Sequence, residues 1–278
     1  MLTLKLITND PAVAAYAFAN GVSRIMVDIE RLGKAERQAG RSTVISSHEI
    51  ADVARVRHAV PEAEILLRIN PWHAGSLAEM QAGVAAGADL IMLPMCRRED
   101  EVAAAGVEAV RLQVGLVPLI ETTQAMVRLQ QFVHLPGVRE IYIGLNDLHL
   151  GLGLDFMFEP VASGLLDHLT AVVRDAAIPF GFGGIATLGG GAVPAELVLA
   201  EHQRLGSSRV ILGRTFSHGA TTVTGFAERG FPAEIARLRA EEARLARVPS
   251  SALGALHHEL QAKVQAQVQR MQAESARC

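Results

Sequence analysis

Eight short β-type runs, each followed by a longer amphipathic run, leave this 278-residue chain few folds to adopt. The β-type runs fall at residues 4–7, 24–29, 65–70, 90–95, 115–121, 140–147, 179–185 and 209–215. Between them, segments 11–20, 48–59, 77–86, 99–110, 122–133, 160–176 and 195–205 mostly carry apolar residues at helical spacing, with Gly or Pro just outside. An eighth helical segment, 232–246, follows the last run. Repetition of this kind predicts parallel strands covered by helices, and eight units suit a closed barrel better than an open sheet. The expected fold class is therefore α/β, a (β/α)8 TIM barrel over residues 1–247 with a C-terminal helical extension at 248–278. A doubly wound sheet is the alternative. Its Gly-x-Gly-x-x-Gly turn is missing, because the first run leads into Thr8-Asn9-Asp10-Pro11.

With 50% hydrophobic residues the chain can bury one large core. Its formal charge of −3, with acids and bases interspersed, provides no basic face for a phosphate backbone, so nucleic acid is not an expected partner. No stretch approaches the roughly 20 apolar residues that span a bilayer, so no membrane partner is expected either. The opening Leu2 to Ile7 has no basic-then-apolar leader, and the two cysteines, Cys96 and Cys278, form no disulfide framework. A cytoplasmic location is the expectation.

Two consecutive β-type runs end in acids, Glu121 and Asp147. If Asp147 points into the barrel, Leu145, Ile143 and Ile141 share its parity; if Glu121 does, so do Leu119 and Val117. Both acids then cap an apolar stack. Burying such a pair uncompensated costs several kcal/mol, and Mg²⁺ or Mn²⁺ is the usual compensation for oxygen ligands. The plainer alternative is that each acid caps the helix after its strand. On the third run Arg68 and Asn70 share the inward parity of Leu66, so a guanidinium stands at the same rim, suited to a substrate carboxylate or an enolate oxygen. A salt bridge to the acids is the competing role for it. Asp28 and Glu30 share one face at the end of the second run.

Beyond these residues, the segments Val27-Asp-Ile-Glu30, Leu67-Arg-Ile-Asn70, Leu93-Pro-Met95, Leu119-Ile-Glu-Thr122 and Ile141-Tyr-Ile-Gly-x-Asn-Asp-Leu148 occur in order, and the set resembles the HpcH/HpaI aldolase and citrate lyase β-subunit family. The resemblance implies a barrel in which Glu121 and Asp147 hold Mg²⁺ or another divalent ion. It implies that Arg68 contacts the pyruvate-like part of a 2-oxo acid, and that the reaction is metal-assisted C–C cleavage or formation with an aldehyde co-substrate. Asn70, Met95, Gly144 and Asn146 are the further substrate-binding candidates, partly through backbone N–H groups. The chain also departs from the pattern. The aldolase branch has a histidine immediately after the acid of strand two, where this chain has Arg31. His48, or a metal-bound water held by Asp28, is the candidate base; a helix-capping surface histidine is the simpler role for His48. Leu93-Pro-Met95 lacks the lysine of the citrate lyase branch, which argues against the alternative of a coenzyme A thioester lyase or hydrolase. A barrel without chemistry, serving only for binding, is the third class, and the retained Arg68, Glu121 and Asp147 argue against it.

Glycine-rich loops after strands seven and eight offer a phosphate site with Arg214 as anchor, although such loops also serve simply as tight turns. Cys96 reads as a structural thiol. The final segment carries Leu253, Leu256, Leu260, Val264, Val268 and Met271 at intervals of three and four, an amphipathic helix whose stripe needs a partner. That partner is either its own barrel or, given the family's trimers and hexamers, a neighbouring subunit. His257 and His258 are expected in solvent.

Overall fold

The computed structural model describes residues 1–34 and 46–276, and Cys278 lies outside them. The chain opens with strand β1 (Thr3–Ile7), helix α1 (Pro11–Ala19) and strand β2 (Arg24–Asp28). Asp10 starts α1 by accepting the Val13 N–H at 2.8 Å, and Pro11 sits at the helix start, where a missing N–H leaves no hydrogen bond unmade. The repeat continues through α2 (Ile50–Ala59), β3 (Glu64–Arg68), α3 (Ser76–Ala85), β4 (Leu90–Leu93), α4 (Glu99–Arg111) and β5 (Gly115–Ile120). Acids fill the first turn of α4 and Arg111 the last, so both ends complement the helix dipole.

The expected helix at 122–133 is instead two short ones, α5 (Thr123–Val127) and α6 (Leu129–Phe132). Strand β6 is only Ile141–Ile143, and after Gly144 the chain enters helix α7 (Leu145–Gly151). Then α8 (Glu159–Ala162) and α9 (Leu165–Asp175) divide the expected 160–176 helix at Gly164, whose φ of 80° suits a residue without a Cβ. The barrel is completed by β7 (Phe180–Ile185), α10 (Ala195–Leu205) and β8 (Arg209–Leu212), and α11 (Val223–Glu228), α12 (Phe231–Leu245) and α13 (Ser250–Ser275) follow.

The strands pair in sequence order, all parallel, and β8 closes on β1 with Thr3 opposite Arg209 and Lys5 opposite Ile211. The fold is a (β/α)8 TIM barrel with a C-terminal helical extension. Met26, Leu66, Leu90, Met92, Val117, Leu119 and Tyr142 fill its interior, and a larger apolar layer joins the sheet to the helices. The parity read back from Asp147 is inverted: Tyr142 points inward, whereas Ile141 and Ile143 belong to the outer layer. The reason is that Asp147 lies in the first turn of α7, not on the strand, so a period of two does not reach it.

At the N-terminal end of the barrel Arg24, Lys5 and Arg209 share the buried Glu140, and Lys5 lies 3.4 Å from the centre of the Tyr142 ring. A cavity of about 360 Å³ opens there. Arg24, Arg209 and Glu140 in its lining are paired with one another, and it lies at the face opposite the strand ends where barrel chemistry resides.

Helix α13 packs on its own barrel, against α10 and α8, burying Leu253, Leu260 and Val264. The partner of the apolar stripe is therefore the same chain. Correspondingly His257 is not in solvent: its Nδ1 is 3.0 Å from the buried Glu201, while His258 is exposed. Among the described residues no helix is long and apolar enough to cross a membrane.

Candidate active site

Strands β2, β3 and β5 each deliver an inward-facing polar side chain at or just beyond their C-terminal ends, because the positions below it (Met26, Leu66 and Leu119) are apolar and interior. Asp28 ends β2, Arg68 ends β3 directly opposite it in register, and Glu121 follows β5. The Arg68 guanidinium grips Asp28 with two bonds, Nε to Oδ1 at 2.8 Å and one terminal nitrogen to Oδ2 at 2.6 Å. It also lies 3.5 Å from Glu30. Asp28 accepts further bonds from Lys34 Nζ and Ser46 Oγ, both at 3.1 Å, and from the Glu30 N–H at 3.1 Å. Lys34 also reaches Glu30 at 3.2 Å. Burial by itself would raise the Asp28 carboxyl; Arg68 and Lys34 overcome it and hold the group well below the usual carboxylate range.

Glu121, 5% exposed, has the opposite balance. Its Oε1 accepts the Met95 N–H at 2.9 Å, and Met95 adopts φ 51° there, a left-handed conformation unusual for a residue with a Cβ. Burial first, and then the facing Glu30 and Asp147 carboxylates, push Glu121 up to about 8 against the pull of Arg68. Asp147 is half-buried in the first turn of α7, close enough for its charge to act on Glu121. Gly144 makes room for this approach, since a Cβ there would stand 2.9 Å from both Cβ and Oε2 of Glu121.

Among the described residues Asp28, Glu30, Glu121 and Asp147 gather at this rim with the cations Arg68 and Lys34. All four acids offer hard oxygen donors. That set suits a small divalent cation, and Asp28 and Glu30 are also engaged with Arg68 and Lys34. Among the described residues no group of three or more His, Cys, Asp or Glu converges in metal-ligand geometry, so water or substrate would have to complete the shell.

Other sequence candidates are placed less directly. Asn70 spends its side chain on structure: Oδ1 accepts the N–H groups of Arg31 and Leu32, and Nδ2 donates to Glu79 at 2.8 Å, tying the segment after β2 to α3. The backbone N–H of Met95 is committed to Glu121, and that of Gly144 to Ile120 O at 3.0 Å, so neither is free for a substrate carboxylate. Asn146 is half-buried in α7 beside Asp147. Arg214 is exposed on the turn after β8. In the β7 loop the N–H of Thr187 bonds Thr215 Oγ1 and that of Gly189 bonds Glu196, so these donors of the expected phosphate site serve the loop itself. Cys96 is buried, its thiol pushed up by burial and by Glu121, consistent with a structural role. His48 precedes α2, and its Nδ1 accepts the Asp28 N–H at 3.0 Å. Burial holds this imidazole below its usual range despite the nearby Asp28 and Asp52.

Two members of the cluster escaped the sequence reading. Lys34 had a signal, its i,i+4 spacing from Glu30. Ser46 had none, for it comes from 18 positions away along the chain.

The sequence profile described as HpcH/HpaI aldolase/citrate lyase matches residues 3–159. No curated protein sequence gives a match. Similar solved structures include an HpcH/HpaI aldolase/citrate lyase family protein from Burkholderia cenocepacia J2315, with TM-score 0.61 and 14% identity over 86% of this chain and 95% of that one. A citrate lyase β subunit from M. tuberculosis, complexed with oxaloacetate and magnesium, has TM-score 0.59 and 14% identity over 89% and 97%. The CitE protein from Mycobacterium tuberculosis, in complex with magnesium and pyruvate, has TM-score 0.58 and 14% identity over 94% and 97%. These structures share the fold with this chain.

Proposed function

The chain belongs to the HpcH/HpaI aldolase/citrate lyase family, enzymes that break or form C–C bonds, and on that premise we propose that it acts on a 2-oxo acid through a pyruvate-type enolate. The observation that carries the proposal is Glu121: a carboxylate held high by burial first and then by two facing acids is an oxygen donor arranged for a cation. Mg²⁺, or Mn²⁺ in its place, would be held by Glu121 and Asp147. When bound there, the ion supplies Lewis-acid stabilisation of negative charge on the substrate oxygens. The relatives bound to magnesium with oxaloacetate or pyruvate support the same assignment by analogy.

The chain's own residues then divide the work. Arg68, fixed by Asp28 on one side, presents its remaining N–H groups to the 2-oxo acid and holds a positive charge where the enolate oxygen develops. Asp28 is a positioning residue here: a carboxylate so strongly held in its ionised form is a poor proton acceptor. In cleavage, a base takes the hydroxyl proton of a 4-hydroxy-2-oxo acid, the bond between C3 and C4 breaks, and its electron pair passes to the enolate as the aldehyde leaves. Condensation is the reverse. The buried walls around Glu121 and Cys96 keep water from quenching the enolate at random. Asn70 supports the site through the loop after β2, and Met95 and Gly144 support Glu121. A cytoplasmic homo-oligomer, trimeric or hexameric, is the setting this reading adopts.

The test is proton exchange at the pyruvate methyl group in D2O, followed by NMR with and without Mg²⁺ or Mn²⁺. Exchange should require the cation, and Arg68→Ala should slow it by on the order of a hundredfold. Absence of exchange with either cation, or coenzyme A binding with no pyruvate binding, overturns the proposal in favour of its thioester rival.

A further inference from the structure

Every neutral imidazole has one nitrogen that accepts and one that donates. At His48 the accepting one is fixed by the fold. Nδ1 lies 3.0 Å from the Asp28 backbone nitrogen, and a backbone N–H can only donate, so Nδ1 must present its lone pair. The ring proton is thereby forced onto Nε2. Protonating the ring would add a hydrogen to Nδ1 directly against the Asp28 N–H, so the same contact opposes the imidazolium. Among the described residues the charged groups facing the ring are Asp28, Asp52, Lys34 and Arg68, and burial outweighs the two acids in keeping it neutral. His48 therefore does not fit the general base that its position suggests.

We propose that His48 is a second donor beside Arg68: a neutral imidazole whose Nε2–H hydrogen-bonds an oxygen of the bound 2-oxo acid. The assignment rests on the enolate reading above. No proton is transferred in this role, because giving up Nε2–H would leave an imidazolate, far too basic to form at neutral pH. The ring instead lends a fixed dipole to an oxygen gaining negative charge, as neutral histidine does in other barrel enzymes. Asp28 sets both donors at once, its carboxylate holding Arg68 and its backbone N–H holding His48. The half-buried ring stands at the C-terminal end of β2, the face on which the acid cluster opens.

The first test needs no turnover. Long-range ¹H–¹⁵N spectra of the full-length protein should find His48 with Nδ1 unprotonated and Nε2 protonated from about pH 6 to about pH 8. Adding oxalate with Mg²⁺ should shift its Nε2–H signal downfield. An imidazolium, an Nδ1–H tautomer, or an Nε2–H signal that oxalate leaves in place overturns the proposal whether or not the enolate reading survives. The second test uses pyruvate exchange. His48→Ala should slow it by on the order of a hundredfold, whereas His48→Gln, which puts an amide N–H near the former Nε2, should recover most of that loss. The acid limb of the pH profile should be unchanged in both. If His48→Gln is as slow as His48→Ala and that limb disappears, His48 is a base and the proposal fails. If both variants match the parent rate, it also fails. No exchange by the parent protein, with the oxalate shift present, removes the enolate reading while leaving the donor in place.

Discussion

Replacing Glu121 with glutamine should make the cation-free protein more stable at neutral pH, the reverse of what loss of a buried hydrogen-bonding group usually does. Folding raises this carboxyl from 4.5 to about 8. A raised acid contributes its full stability when it is protonated in both states, below 4.5, and loses that contribution as pH rises through 8. At pH 7 the unfolded chain has released the proton while the folded chain mostly keeps it, a difference of about 3 kcal/mol at 1.4 kcal/mol per unit. Glutamine is close in shape, is neutral at every pH, and keeps an oxygen for the Met95 N–H. Allowing about 1 kcal/mol for a weaker, uncharged bond leaves a net gain of about 2 kcal/mol. For a chain of this size that is a rise in Tm of roughly 4–8 °C. Thermal unfolding in a chelator, at about pH 5 and about pH 8, should show the advantage of Glu121→Gln growing with pH. Calorimetric titration with Mg²⁺ should show binding weakened by on the order of a hundredfold. If Glu121→Gln is less stable than the parent in chelator at the higher pH, or the difference is flat with pH, Glu121 is a paired structural acid and the cation argument is wrong.

Asp28 should respond with the opposite sign: it is 2% exposed and held low, so its stabilisation is present above the unfolded value of 3.8 and is lost as pH falls through the depressed folded value. Asp28→Asn should therefore lower stability in urea unfolding by about 3–5 kcal/mol at neutral pH, with a smaller deficit below about pH 4. Gly144→Ala, whose Cβ would press on the Glu121 side chain at 2.9 Å, should weaken Mg²⁺ binding in calorimetry while costing only about 1–3 kcal/mol of stability. Leu260→Ala, on the buried face of α13, should cost about 2–5 kcal/mol in denaturant unfolding and reduce amide protection along α13 and α10 without altering Mg²⁺ affinity.

The barrel was legible because its signals are local. All eight strands overlap their expected runs, and α10 matches residue for residue at Ala195–Leu205. Misreadings arose where one period gave way to another. Strand β6 stops at Ile143 and α7 begins at Leu145, so a parity counted back from Asp147 assigns Tyr142 to the wrong face. Met95 and Asn70 were likewise counted as strand residues, whereas β4 ends at Leu93 and β3 at Arg68, which lets Met95 turn its N–H toward Glu121 and Asn70 brace the loop after β2.

By itself, the amino-acid order determined which acids and which arginine would stand at strand ends, because alternation along a strand fixes the inward face within a few residues. Only barrel closure decided how they divide into roles. Asp28 is held by partners 6, 18 and 40 positions away, Glu121 is buried facing two acids as well as Arg68, and His48 receives a backbone N–H from 20 positions upstream. Charge balance and ring tautomer depend on distances across the barrel mouth, and those distances exist only once all eight strands have closed.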